Sequence, residues 1–294
     1  MSSYVLKNHE LQKRNSQFKL KCIRFAKNKL AMTGLVVLVL LVIAILAAPL
    51  YISYDRVVTQ SIANRFQLPS AQYIFGTDQF GRDLFARIMY GGQISLLAGL
   101  VTVGISFVFA IILGCLSGFF GGKVDNVIMR FCDVLMAVPG MLLSMAIVAA
   151  LGQGLFKMLF ALAITTIPGQ SRTIRVAVMT LRSQEYVEAA RTYGSATYRI
   201  LIKHIIPNIV GPMVVSITMN LGSVILRIAA LGFLGIGIAP PTPEWGTIIS
   251  ENQVSIRFHP YLGIIPGLFI MVSVMCLSFV GDGLRDALDP KMKK

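Results

Sequence analysis

Acidic and basic side chains are concentrated in one short stretch, residues 76–87, where Asp78, Arg82 and Asp83 lie within six positions. Two carboxylates beside a basic group are side chains that general acid–base catalysis uses. Neither a nucleophile nor a set of metal ligands accompanies them in the sequence. We therefore expect no catalytic residue here, and a mainly structural role for these charges.

A turn-rich cap leading into a helix accounts for the same residues. Gly76 and Gly81 are predicted to form turns. Asp83 and Arg87 are four positions apart, the spacing of an ion pair on one face of a helix. An exposed pair of this kind contributes roughly a few tenths of a kcal/mol, so it would order the cap rather than dominate its stability.

Other residues that could bind a cofactor or a metal do not form a recognisable site in the sequence. The run SGFFGGKV at 117–124 has glycines and a lysine typical of a phosphate-binding loop, but the first glycine is missing and Val124 replaces the hydroxyl that would hold magnesium. The histidines lie outside the apolar segments without an HExxH pattern, and the cysteines form no CxxC pair. We expect no cofactor, metal or disulfide. These residues are His9, His204, His259, Cys22, Cys115, Cys132 and Cys276.

The composition predicts an integral membrane protein. Of the 294 residues, 55% are hydrophobic and 14% are charged, and the mean hydropathy is +0.72, which is more apolar than a soluble domain of this size needs. The net charge of +14 could suggest a nucleic-acid partner, but basic cytoplasmic loops are the simpler explanation in a membrane protein. We therefore predict contact with a lipid bilayer and none with nucleic acid.

Six apolar segments are long enough, as helices, to cross about 30 Å of hydrocarbon. They are residues 30–50, 92–119, 132–151, 156–176, 209–234 and 262–281. With the N-terminus inside, the inner segments hold 20 of the 27 Lys and Arg residues, so both termini are expected in the cytoplasm. The predicted parts are a basic cytoplasmic segment (1–29), a first helix with an outer loop (30–91), a core (92–281) and a cytoplasmic tail (282–294).

A polar and basic island separates the fourth apolar segment from the fifth. Glu185 and Glu188 lie near the start of a helical pattern, where negative charge suits the positive end of the helix dipole. Ala189 and Ala190 favour helix and keep its surface thin, so that another protein could approach closely. The island is too polar for a membrane span.

The second half of the island is predicted to turn back on the first. Gly194 is expected to adopt the left-handed conformation that ends one helix. An amphipathic helix follows, and Pro207, which has no amide hydrogen, either ends that helix or opens the next. We name this predicted helix-turn-helix, residues 183–207, the knuckle.

Four stretches together resemble one protein family. The knuckle resembles the EAA motif, the cytoplasmic loop through which permease subunits of ABC importers dock on their ATPase. GTDQFGRD, LGFLGIGIAPPTPEWG and GDGLRDALDP resemble signatures of the dipeptide, oligopeptide and nickel permeases. The resemblance covers about residues 30–290 and implies an all-α, type I ABC importer fold, in which six transmembrane helices form half of a translocation pathway.

The resemblance also implies roles for individual residues. ATPase coupling is implied for Glu185, Glu188, Ala189, Ala190, Arg191, Gly194 and Pro207. The outer-loop motif comprises Gly76, Asp78, Gly81, Arg82, Asp83 and Trp245. It is expected to form an ordered cap, with contact to a docked binding protein as the functional alternative. Trp245 is expected to anchor a stiff, proline-rich outer loop at the membrane interface.

A complete importer of this family implies several partners. They are a second permease subunit, two ATPase subunits that use ATP and magnesium, and an extracytoplasmic binding protein, in a bacterial or archaeal cell membrane. Peptides are the leading cargo, and nickel or a metal chelate is the alternative, because Ile228 stands where many members carry Glu. A secondary transporter would need paired acids or broken helices at the midplane, and the predicted spans offer no convincing acidic pair.

Arg227 is the only basic residue that the count leaves inside a span, since Lys157, Arg172 and Arg175, toward the ends of the fourth span, are counted with the outer and inner segments. If the fifth span begins near Ile209, Arg227 lies about 27 Å along the helix, near the outer interface. Its long side chain could extend to the outer surface, or it could line the pathway and bind a carboxylate of the cargo.

Two further patterns concern the packing and pairing of helices. Gly114, Gly118 and Gly122 recur at four-residue spacing and are expected to let helices approach closely in lipid. Asp133 lies at the entrance of the third span, where it is expected to pair with Arg130 or to take part in gating.

Overall fold

The computed structural model describes residues 20–288, which are helical over most of their length. The main helices are α1 (Lys29–Leu46), α2 (Leu84–Phe120), α3 (Gly122–Met136), α4 (Gly140–Leu151), α5 (Leu155–Arg182), α6 (Glu185–Thr192), α7 (Thr197–Phe233), α8 (Trp245–Glu251) and α9 (Tyr261–Leu288). Short helical turns, Ala48–Tyr51, Asp55–Val58 and Ile62–Asn64, connect α1 to α2. Among the described residues, the backbone pairing outside helices includes one isolated bridge, between Thr77 and Asp83.

Four helices are long and apolar enough to cross a membrane, namely α1, α2, α7 and α9. The bent pair α3 and α4 adds a fifth crossing if it forms one span. The fourth predicted segment, 156–176, lies within α5 and is helical throughout, but α5 carries three arginines in its second half and is less apolar than the others. The all-helical membrane architecture predicted from the sequence is therefore confirmed.

The third predicted span, 132–151, is wrong as a single straight helix. The chain bends by 82° between α3 and α4. Pro139 lies just before the first residue of α4, with an extended backbone, and it ends the helical path because the residue before a proline disfavours the helical conformation. At 12 residues, α4 is about 18 Å long and does not cross the hydrocarbon alone.

The long helices α2 and α5 pack closely, as the glycine spacing predicted. An added Cβ at Gly114 would lie 2.8 Å from the Ser171 carbonyl oxygen of α5, and one at Gly118 would lie 2.7 Å from the Arg175 carbonyl oxygen. Gly122 differs, because no atom lies within 4 Å of its would-be Cβ and its φ is 52°. It serves the turn between α2 and α3 rather than helix packing.

Apolar side chains form three buried clusters along the bundle. One lies beneath residues 52–83 and α8. We name residues 52–83 together with α8 the cap. The second lies in the middle, between α2, α4, α5 and α7, and the third lies under the knuckle. The predicted terminal segments 1–29 and 282–294 lie partly outside the described residues. In the described part of the first segment, residues 20–27 are helical.

Candidate functional site

The first half of the knuckle has the backbone that the sequence predicted. Helix α6 carries Glu185 and Glu188 in its first turn. The helix ends at Thr192, and Gly194, two residues later, has a φ of 72°. The Gly194 amide donates to the Arg191 carbonyl at 2.9 Å, and the Ser195 amide donates back to the Ala190 carbonyl at 3.0 Å. These bonds satisfy carbonyls at the helix end while the chain reverses.

The second half of the knuckle is not a separate helix. Residues Thr197–Ile200 are α-helical, Leu201–Ile205 form a π-helical turn, and α-helix resumes at Ile206, with Pro207 in its first turn. Pro207 thus opens the following helix, as one of the two predicted alternatives stated. Its missing amide hydrogen is accommodated by the wider turn before it, so that α7 runs from the knuckle through the bundle without a break.

One face of the knuckle is buried against the bundle. Val187, Ile200 and Ile205 are buried in the third apolar cluster, with residues from α2 and α5. The Arg191 guanidinium lies 4.6 Å from the ring centre of Phe119, at the end of α2, which is cation–π geometry. The knuckle is therefore held firmly on the helices that traverse the bundle.

The opposite face of the knuckle is exposed. Tyr193 is 89% exposed and Tyr198 is 62% exposed. These two aromatic side chains give the knuckle a large exposed apolar surface. The predicted coupling residues Glu185, Glu188, Ala189, Arg191, Gly194 and Pro207 are exposed, and Ala190 is half-buried. Most of the predicted coupling residues are therefore accessible from outside the bundle.

The outer-loop motif forms a buried ionic network in the cap. The Arg82 side chain donates through Nε to Asp78 Oδ2 at 2.6 Å, and through Nη1 and Nη2 to the two carboxylate oxygens of Glu251 at 3.3 and 3.1 Å. Arg87, which is fully buried, donates to the same carboxylate of Glu251. Charges sealed from water in this way are tolerated only when paired.

The predicted Asp83–Arg87 pair is wrong. Asp83 instead forms an ion pair with Arg56 at 2.7 Å and caps α2, accepting hydrogen bonds from the amides of Phe85 and Ala86. Burial raises the pKa of the Asp83 carboxyl, and those amides and Arg56 act in the opposite direction. The four-residue spacing predicted an exposed ion pair between Asp83 and Arg87. The folded cap instead buries Asp83 and gives it an ion pair with Arg56 and two backbone hydrogen bonds.

The two glycines of the motif occupy turns, as predicted. Gly76 has a φ of 77° and Gly81 a φ of 73°. A Cβ at Gly81 would lie 1.9 Å from the Ser61 carbonyl oxygen, so no other residue fits there without moving the backbone. All six residues of the predicted motif are buried, so none of them forms a surface for another protein.

Trp245 is not an interfacial anchor, which corrects the prediction from the sequence. Its side chain is fully buried, and its indole N–H donates to the Ile88 carbonyl at 3.0 Å. It fills the space beside Gly92 of α2, where an added Cβ would lie 2.9 Å from the Trp245 ring. Tryptophan is suited to such a position because its single donor is satisfied while its large ring packs.

Sequence reasoning missed two acidic residues of the cap. Glu244 caps α8 by accepting hydrogen bonds from the Gly246 and Thr247 amides, and it also accepts from the Ser95 hydroxyl. Burial raises the pKa of its carboxyl, and these donors oppose the rise. The signal for Glu244 was its place before an apolar helical run, but nothing local pointed to Glu251 as the partner of two distant arginines.

At the knuckle end, acidic residues of α3 pair with arginines of α5. The Asp125 carboxylate accepts from Nε of Arg175 at 2.5 Å. Asp133 pairs with Arg172, not with Arg130 as expected. Helix α5 packs alongside α3 and so brings Arg172, which is distant in the sequence, close to Asp133. These two pairs fix the bent segment to α5.

Arg227 turns into the bundle rather than toward the outer surface. Its Nη2 donates to the Thr166 hydroxyl of α5 at 2.9 Å, and the side chain is half-buried. Neighbouring Ile228 is fully buried in the middle apolar cluster, so the position where many relatives carry Glu faces the core in this chain.

A helical membrane bundle with an exposed helix-turn-helix at one end is typical of a transport permease subunit. Within residues 20–288 no group of three or more His, Cys, Asp or Glu side chains is placed to hold a metal ion. Residues 110–294 match the family of binding-protein-dependent transport system inner membrane components, and residues 16–69 match the N-terminal transmembrane domain of oligopeptide transport permease C. The chain belongs to this family, the transmembrane permease subunits of ABC transporters.

Named relatives resemble this chain over most of its length. It is 43% identical to the dipeptide transport system permease protein DppC of Alkalihalophilus pseudofirmus, over 91% of this chain and 88% of that protein. It is 39% identical to the oligopeptide transport system permease protein OppC of Bacillus subtilis, over 92% and 89%. An inward-facing structure of the MetNI methionine ABC transporter matches with a TM-score of 0.56 and 16% identity, over 70% of this chain and 98% of that chain, which supports the fold alone.

Proposed function

We propose that this chain forms half of the translocation pathway of an importer of di- and oligopeptides, driven by ATP hydrolysis on partner subunits that dock on the knuckle. The observation that carries the proposal is the two-sided knuckle, buried against α2 and α5 on one face and open on the other. Force applied to the open face would reach the transmembrane helices directly, since α7 begins in the knuckle. The named peptide permeases among the relatives support the cargo class.

The proposed assembly contains a second permease subunit, two ATPase subunits that bind ATP and magnesium, and an extracytoplasmic binding protein. The knuckle lies in the cytoplasm, together with both termini, and the cap faces outward. The cap exposes large apolar side chains, Ile62, Leu68 and Ile74 among them, around its buried network. Such a surface is suited to contact with a docked binding protein. The contact that was expected from the outer-loop motif is thus assigned to this surface, because the motif residues are buried.

The mechanism is conformational, and catalysis of hydrolysis belongs to the partners. Closure of the ATPase dimer would carry the knuckle with it and switch the bundle between inward-open and outward-open states. ATP can shift this equilibrium only through contacts that differ between the two states. Glu188 is suited to such a contact, because its side chain is exposed and no side-chain partner is found for it among the described residues.

Two knuckle variants test the docking. Glu188→Lys reverses an exposed charge, and Gly194→Val places a β-branched residue at a φ of 72°. Both are expected to leave the chain in the membrane and to reduce ATPase co-purification and peptide uptake several-fold. Retained ATPase and uptake rates are measured on the purified complex in proteoliposomes.

Matched controls separate docking from general damage. Gly194→Asn should behave nearly as wild type, because asparagine tolerates the left-handed conformation and no atom lies within 4 Å of the would-be Cβ. Asp282→Lys reverses another exposed charge, on α9. Normal retention and uptake in both Glu188→Lys and Gly194→Val would refute the assignment of the knuckle.

A further inference from the structure

Polar side chains follow one partly exposed face of α7. They are Ser216, Asn220, Ser223 and Arg227. Their spacing of four, three and four residues keeps them on a single helix face over about 16 Å. Apart from Thr218, whose hydroxyl donates to the Val214 carbonyl of the same helix, the other side chains of this part of α7 are apolar, so these four residues form a polar stripe.

The facing helix α5 contributes two partners to the stripe. The Ser216 hydroxyl donates to the Gln170 side-chain oxygen at 2.8 Å. Arg227 donates to Thr166, one helical turn away from Gln170 on α5. The stripe therefore runs along the seam between α5 and α7.

The stripe lies at mid-depth of the bundle. Thr166, the partner of Arg227, is 11 residues after the first residue of α5 and 16 before its last, which is about 16 and 24 Å. Lipid is excluded as the neighbour of the stripe, because an arginine and an asparagine facing hydrocarbon at this depth are strongly unfavourable. The open side of the stripe must face protein or water.

Arg227 has no acidic partner among the ion pairs of the described residues. Its one hydrogen bond is to the neutral hydroxyl of Thr166, and none of its nitrogens is both buried and unpaired. A guanidinium offers five donors in a planar fork that matches a carboxylate. The remaining donors are therefore open toward the accessible side of the stripe.

We infer that this stripe is a cargo-binding track, in which Arg227 binds a carboxylate of the passing peptide while Asn220 and Ser223 offer hydrogen bonds to its amides. The inference rests on the proposed function, because it requires that this chain line the pathway. It names the substrate class as small molecules with a free carboxylate. A carboxylate of the second permease subunit is the competing partner for Arg227.

Accessibility of the stripe is tested first, without any cargo. In a chain whose native cysteines are replaced by alanine, Ser223→Cys and Leu226→Cys are compared by reaction with a hydrophilic, membrane-impermeant thiol reagent in the complete importer. Leu226 is exposed beside apolar residues of α9, Met271 and Val274 among them, and serves as the control that we expect to face lipid. We expect Ser223→Cys to react at least tenfold faster during turnover. Equal rates would overturn the track.

Uptake by the reconstituted importer tests the carboxylate contact. Arg227→Met is expected to reduce dipeptide uptake at least tenfold and Arg227→Lys about threefold to tenfold, because lysine keeps the charge but not the two-pronged contact. The ATPase subunits should still co-purify with both Arg227 variants, unlike with the knuckle variants. Arg257→Met removes an exposed positive charge outside the bundle and should transport normally.

The same dipeptide with an amidated carboxyl group completes the test, at concentrations that saturate the binding protein with either form. Wild type should carry the free acid faster than the amide, and Arg227→Met should carry both equally slowly. Equal uptake by the arginine, lysine and methionine forms would overturn the inference, as would unchanged discrimination in Arg227→Met. Loss of the second permease subunit from Arg227→Met preparations would instead identify Arg227 as part of a subunit contact and overturn it as well.

Discussion

At the scale of single residues, the cap shows why local rules find charged residues but not their partners. The GTDQFGRD stretch pointed correctly to Asp78 and Arg82 as structural. The four-residue spacing then paired Asp83 with Arg87, and the structure pairs Arg87 with Glu251, 164 positions later. Helical spacing describes neighbours on one helix, whereas a buried charge takes the partner that tertiary packing brings to it.

Removing the Glu251 charge should destabilise the cap. Glu251→Gln keeps the size of the side chain but leaves Arg82 and Arg87 with Asp78 as their remaining buried carboxylate. Breaking a buried ion pair costs about 3–5 kcal/mol, so we expect a clearly lower midpoint of thermal unfolding for the purified complex. Asp55→Asn, which neutralises an exposed carboxylate of the cap, is the control and should change the midpoint little. Similar midpoints for both variants would contradict the importance of the network.

At the scale of helices, apolar length was predicted well and helix continuity was not. The spans at 30–50, 209–234 and 262–281 correspond to α1, α7 and α9. The third segment was read as one helix although Pro139 and Gly140 stand in its middle, a signal that hydropathy alone ignores. Pro207 was predicted either to end one helix or to open the next; it lies in the first turn of the resumed α-helix, and the π-helical turn before it keeps the helical path continuous.

Close packing of α2 on α5 should be sensitive to a single methyl group. Gly118→Ala places a Cβ 2.7 Å from a backbone oxygen of α5, which must move, and we expect a loss of about 1–3 kcal/mol. Gly104→Ala is the same change on the same helix with no atom within 4 Å, and it should be neutral or slightly stabilising. Thermal unfolding of the two variants in parallel measures the difference, and equal midpoints would argue against tight packing at this seam.

At the scale of the whole molecule, the distribution of Lys and Arg predicts which end of the bundle faces the cytoplasm. The fold alone does not supply this information. The knuckle and cap lie at opposite ends of the long helices, so fixing one side fixes the other. Hydropathy was sufficient for the membrane class, and charge counting adds a predicted orientation of the chain. They were insufficient for the buried network, the bend and the stripe, because these depend on which helices become neighbours.

Thiol labelling tests the orientation. Cys22 is the exposed native cysteine of the described residues, and it is expected on the cytoplasmic side. In intact cells, an impermeant maleimide should leave Cys22 unlabelled until the membrane is permeabilised. Ala71→Cys, in a chain with Cys22 replaced by serine, lies in the exposed part of the cap and should be labelled from outside at once. Labelling of Cys22 without permeabilisation would reverse the proposed topology.

The cap network also has a consequence for the order in which the protein is made. Arg82 and Arg87 leave the ribosome 169 and 164 positions before Glu251. At about 5–20 residues per second, this separation corresponds to roughly 8 to 33 s of synthesis. During that time both cations lack their shared counter-ion, so the cap must stay hydrated and open until α8 has been translated. A chain whose synthesis is halted before position 251 would therefore be inserted in the membrane with its cap still unsealed.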